Sequence, residues 1–143
     1  MNRPHRFRAV AGLAVFAGTI ALTGWATMAT AQFGPRAFKV PPKFSELALE
    51  GQKAFDANCA SCHGRFGIGS DKGPPFIHTT YNPGHHDDGA FFRAVADGVR
   101  QHHWRFGDMP AQPKVSPDQV RAIVRYVREL QQANGITYQP HRM

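Results

Sequence analysis

The stretch Cys59-Ala-Ser-Cys62-His63 limits what this chain can become more than any other. It holds both cysteines of the 143-residue sequence. Residues at i and i+3 share one face of a helical turn, so two sulfurs project together, with an imidazole on the next residue. A disulfide exchanger would place such a pair at the start of a helix in a βαβ setting. Here a helical pattern precedes the pair, and no βαβ pattern appears. A structural zinc wants four ligands; with no second cysteine pair, histidines would have to complete the set. A plain disulfide suits an oxidising compartment but gives His63 no task. C-x-x-C-H is the attachment signature of a c-type haem. In that chemistry each sulfur forms a thioether with a porphyrin vinyl group, and the adjoining histidine reaches the iron.

The start of the chain supports an oxidising compartment. Arg3, Arg6 and Arg8 form a basic lead, Ala9 to Met28 are almost wholly apolar or small, and Ala29-Thr30-Ala31 has the small–x–small pattern of a signal-peptidase site. Residues 1–31 therefore read as a secretory signal. An uncleaved membrane anchor is the alternative, because about 20 apolar residues span a bilayer. Either reading keeps the arginines inside and sends the remainder out of the cytoplasm. Cleavage after Ala31 removes three arginines and no acidic residue, so the formal charge falls from +7 to +4. The positive residues are scattered rather than run together, which argues against a nucleic-acid partner. A modest positive surface suits acidic redox partners instead.

The remainder shows no strand alternation, no repeat and no low-complexity segment. Glycine and proline gather at 64–89 and 107–117. The pattern is a few helices joined by long loops, and such loops need something inside to organise them.

Three further stretches extend the reading. "FSELALEGQKAFDANCASCHG" has Phe44, Leu47, Leu49, Ala54 and Phe55 as its apolar residues, Ser45 as a candidate N-cap, and Gly51 four residues before Phe55. Glycine inside a helix costs about 1 kcal/mol relative to alanine, so a packing reason is expected. "SPDQVRAIVRYVRELQQ" opens with a Ser116/Gln119 capping box and Pro117 at the first helical position. Val120, Ile123, Val124, Val127 and Leu130 follow one buried stripe, and Arg121, Arg125 and Arg128 fall on the solvated side. "GPPF", residues 73–76, follows the cysteine motif.

With the haem motif these stretches resemble the class I cytochromes c, from about residue 44 to 132. The resemblance implies an all-α fold of three to four helices with long loops wrapped around one covalent haem. It implies that Gly51 lets the C-terminal helix cross closely and that Tyr126 meets the N-terminal helix there. It implies that Pro74 offers its carbonyl to the ring N–H of an axial His63, fixing its tautomer. It also implies Met109, framed in "GDMP", as the second iron ligand, the arrangement that raises the potential. His102, His103 and His78 compete for that position. Trp104, Phe106 and Phe76 would wall the pocket.

Two histidine pairs depart from the family plan. His85-His86 and His102-His103 flank a predicted helix over 88–99, capped by Asp87 or Asp88. Its ends would lie about 17 Å apart, so both pairs share one ion only if the loop at 100–106 doubles back. One reading is a second metal site for copper or zinc, built from imidazole with or without a carboxylate. The other has these histidines capping helix ends, bonding haem propionates or standing in water.

The expectation is a periplasmic one-electron carrier with a single haem c, exchanging electrons with a donor and an acceptor protein. The alternative is a haem-bearing subunit of a periplasmic oxidoreductase. No proton-transfer or nucleophilic constellation marks the chain as an enzyme by itself. The expected organisation is a signal at 1–31, an extension at 32–43, the haem domain at 44–132 and a tail at 133–143.

Overall fold

Two serines start the helices that carry the core. Ser45 accepts a hydrogen bond from the Ala48 N–H and opens α1, Glu46–Asn58. Ser116 and Gln119 close a reciprocal capping box at the head of α4, Pro117–Ala133, with Pro117 in the first turn. Such caps contribute about 1 kcal/mol each. Between them lie α2, Ala60–His63, and α3, Asp88–Asp97. The computed structural model describes residues 37–140. The expected signal at 1–31 and the terminal Met143 lie outside them. No strand occurs among the described residues, only an isolated antiparallel bridge between Val99 and Met109, and no described helix is long and apolar enough to cross a membrane.

α1 and α4 cross at Gly51. A Cβ on Gly51 would sit 1.9 Å from the Ala122 carbonyl oxygen and 2.4 Å from its carbon. Only a bare backbone permits that approach. The face of α1 turned to α4 is accordingly small at Ala48, Gly51 and Ala54, with Phe55 the one large side chain buried on it, while Leu47 and Leu49 turn outward, 39% and 46% exposed. The α4 stripe of Val120, Ile123, Val124, Val127 and Leu130 is buried throughout. Each such side chain contributes about 1.5–3 kcal/mol relative to exposure. Tyr126 is wholly buried, its ring 5.6 Å from Phe55 and 5.3 Å from Phe44.

Two expectations are corrected. α3 ends at Asp97 rather than 99, because Gly98 turns to φ 77° and donates its N–H to Ala94. Val99 is thereby released to pair with Met109. Arg128 does not join Arg121 and Arg125 on the solvated side. It is only 9% exposed. Its guanidinium donates to the Asp88 carboxylate, to the carbonyls of Tyr81 and His86, and to Gln131 Oε1. Gln131, also buried, donates to the carbonyls of Phe76 and Tyr81. These two residues, one turn apart, tie the long loop before α3 onto α4.

The flanks pack on this frame. Asn134 exchanges hydrogen bonds with the backbone of Lys39. Ile136 is buried, and the Gln139 N–H reaches Asn82 Oδ1.

Candidate functional site

The cysteine motif continues the end of α1. Cys59 donates its N–H to Phe55, and His63 donates its own to Cys59, so the three motif side chains occupy one turn. Cys59 and Cys62 are free thiols, Cys59 half-buried and Cys62 exposed. Burial, and then the neighbouring Cys62, push the Cys59 thiol up to about 11.

His63 is buried. Its Nδ1 lies 3.0 Å from the Pro74 carbonyl oxygen. A carbonyl only accepts, so the ring proton is on Nδ1 and the Nε2 lone pair remains available. Burial holds the ring below the usual histidine range, partly opposed by the Pro74 carbonyl; the ring is a neutral donor at pH 7. Phe76 stacks on it with centroids 4.3 Å apart. Gly73 is packed beneath, where a Cβ would come within 2.8 Å of the Cys62 carbonyl and 3.3 Å of His63 Nδ1. The "GPPF" stretch thus presses on the imidazole through three of its four residues.

Met109 is fixed by its backbone. It exchanges hydrogen bonds of 2.9 and 2.8 Å with Val99, and its side chain is half-buried. The competing histidines are engaged elsewhere. His78 caps the helical turn Thr79–Tyr81 through its ring nitrogen, and its ring meets the Trp104 ring at 5.0 Å. His102 and His103 are drawn toward the other pair. Phe76 packs among Phe55, Tyr81 and Phe91, whereas Phe106 is 40% exposed.

The Val99–Met109 bridge makes residues 100–108 double back. Gln101 donates its N–H to Asp108, and its side chain accepts from Gly107. The histidine pairs, separated by α3 in the sequence, meet. His85 Nε2 lies 3.0 Å from His103 Nε2. The rings of His86 and His103 are 5.1 Å apart, and those of His102 and His103 4.3 Å. Burial first, and then the neighbouring imidazoles, hold His103 below the usual histidine range; His86 is lowered in the same way, partly opposed by the Thr80 carbonyl. Asp87 caps α3 and pairs with Arg93, and Asp88 pairs with Arg128.

Sequence reasoning did not find Arg128 and Gln131. The signal was present: Arg128 lies four residues after Val124, and Gln131 four after Val127, in step with the buried stripe.

The donor set has the chemistry that a covalently held haem requires. It offers two free thiols on one turn, a neutral imidazole with its Nε2 uncommitted to the chain, and a thioether on an anchored backbone. A family model described as Cytochrome c matches residues 48–131. No curated protein matches the chain.

Proposed function

The chain belongs to the cytochrome c family, and from that premise we propose that it is a periplasmic one-electron carrier with one haem held by Cys59 and Cys62 and ligated by His63 and Met109. Family membership brings haem-based electron transfer with it. The bound haem supplies the one-electron chemistry of Fe(II) and Fe(III). The chain's residues set how that chemistry is presented. Cys59 and Cys62 would hold the group through thioether bonds. Pro74 keeps the His63 proton on Nδ1 and raises the basicity of Nε2. Met109 would contribute a thioether to the iron alongside the His63 imidazole, a donor pair that favours a high potential. The scattered positive charge of the exported part suits acidic redox partners.

The observation that carries this reading is the His63–Pro74 hydrogen bond at 3.0 Å, which aims an imidazole beside two free thiols. The choice of Met109 draws support from the other histidines: His78 is a cap, and His102 and His103 belong to a separate cluster. The basic lead, apolar run and small–x–small pattern of residues 1–31 support the periplasmic location.

The test is the visible spectrum of the purified protein, oxidised and reduced. The oxidised form is expected to show the weak far-red band of an iron–methionine sulfur bond, and Met109→Ala to abolish it. Low-spin haem without that band in the parent protein would assign the sixth position to a histidine.

A further inference from the structure

We propose that His85, His86 and His103, joined by His102, form an all-imidazole site for a divalent copper or zinc ion, separate from the haem. One ring nitrogen from each of His85, His86 and His103 lies within 4.8 Å of the others. The closest pair, the two Nε2 atoms of His85 and His103, are 3.0 Å apart. Ions with metal–nitrogen bonds of about 2.0–2.1 Å hold tetrahedral ligand atoms about 3.3 Å apart. Shifts of a few tenths of an ångström to about 1.5 Å close the difference; the His103 ring is exposed, and the His85 and His86 rings are half-buried.

The nitrogens are also in a suitable protonation pattern. His86 donates Nδ1–H to the Thr80 carbonyl at 2.8 Å, and His102 donates Nδ1–H to the Arg100 carbonyl at 2.9 Å. Both are the carbonyl partners that ligating histidines commonly use to fix their tautomer, and both leave Nε2 as the donor atom. The His85 and His103 nitrogens face each other with one proton between them, which an ion would displace.

The two halves of the cluster are held independently. The His85–His86 half sits on a turn whose N–H groups both donate to the Asn82 carbonyl, and the His86 carbonyl accepts from Arg128. The His102–His103 half sits on the loop closed by the Val99–Met109 bridge. The approach of the halves therefore does not depend on the imidazoles alone.

The ligand set selects the ion. The nearby carboxylates of Asp87 and Asp88 pair with Arg93 and Arg128, so of the two compositions, with or without carboxylate, the imidazole-only one is proposed. Imidazole suits copper and zinc, whereas magnesium, calcium and manganese prefer oxygen. Copper(II) stands highest in the stability order of divalent ions on nitrogen donors.

The site also has a route to the haem side. The His86 ring lies 4.8 Å from Tyr81, Tyr81 5.3 Å from Phe76, and Phe76 4.3 Å from His63.

The experiment is equilibrium dialysis of untagged, oxidised holoprotein against zinc and, separately, copper(II), followed by metal analysis and by electron paramagnetic resonance of the copper form. The expected result is one ion per chain, nitrogen splitting on the copper signal, and at least a tenfold loss of affinity in His85→Ala and in His103→Ala. The haem spectrum should be unchanged in both variants, which also shows that they are folded. Sub-stoichiometric binding by the parent protein would overturn the proposal. So would binding that survives when His85→Ala and His103→Ala are combined in one double variant. A haem spectrum altered by His103→Ala would assign that residue to the iron and would likewise overturn it.

Discussion

The α1–α4 crossing and the loop face formed by residues 64–88 and 99–109 are held by different forces. The crossing is apolar and close-packed, built on small residues in α1 and a valine–leucine stripe in α4. The loop face has almost no regular structure. It is held by buried polar side chains, chiefly Arg128 and Gln131, and by hydrogen bonds from imidazole N–H groups to backbone carbonyls. The non-directional burial of the first part supplies most of the stability. The directional bonds of the second fix where particular nitrogens point. All candidate ligands except the cysteine-motif residues lie on the second part, and the motif itself lies where the two meet.

The largest expected effect probes the crossing. Alanine in place of Gly51 would raise the helix propensity of α1 by about 1 kcal/mol if nothing else changed. The added Cβ, however, would overlap the Ala122 carbonyl. Main chain cannot rotate away as a side chain does, so α1 and α4 must separate and the core opens. Gly51→Ala is expected to cost about 3 kcal/mol or more, the upper end of overpacking effects, measured as a lowered urea midpoint. A stability gain would mean that the helices are not held by close approach, and the comparison would fail.

The next effect probes the loop face. Arg128→Met keeps much of the volume but removes every guanidinium bond. Three acceptors, the carbonyls of Tyr81 and His86 and the Gln131 side chain, then lose a charged donor. The expected loss is about 2–4 kcal/mol, near the lower end for breaking a buried pair, because Asp88 is itself 64% exposed. Amide exchange should quicken at 82–88 while α1 and α4 stay protected. Equal acceleration in α1 would show that the two regions form one cooperative unit.

These regions also differ in how far the sequence foretells them. The helix starts at Ser45 and Ser116 and the buried α4 stripe follow from capping chemistry and periodicity, and the close crossing at Gly51 from the resemblance to the cytochromes c. The haem attachment reads directly from the cysteine motif, and the Pro74 contact to His63 is legible only through the resemblance to the cytochromes c. The loop face is less legible. That His85 and His103 touch depends on the end of α3 at Gly98 and on the Val99–Met109 bridge, a contact made by two residues with no strand around them. Arg128 and Asp88, 40 residues apart, pair through a tertiary contact that no local pattern announces. A charged residue in a helix is read as solvated by default, and Arg128 departs from that default because the loop supplies carbonyls for it.

The smallest effect places a directional contact inside the helical frame. Glu129 on α4 accepts from the Ser45 hydroxyl at 2.7 Å and from the Ser45 N–H at 3.0 Å, and pairs with Arg125. Burial alone would raise its carboxyl. The Ser45 bonds and Arg125 outweigh burial and hold it below the ordinary glutamate value of 4.5. The unfolded chain therefore binds this proton more readily than the folded one. The stabilisation is present above the unfolded value and fades as pH falls through the lower folded value. Arg125 is 53% exposed, so its ion pair adds little, and most of the effect belongs to Ser45. Glu129→Gln keeps one acceptor oxygen and is expected to cost about 1 kcal/mol at pH 7. The gap between parent and variant should close on acidification below pH 4.5, read from unfolding midpoints at successive pH values. A gap that stays constant with pH would mean that shape rather than charge matters at this junction. The helical frame would then be apolar packing throughout, and the contrast with the loop face would be sharper than the Ser45–Glu129 contact now allows.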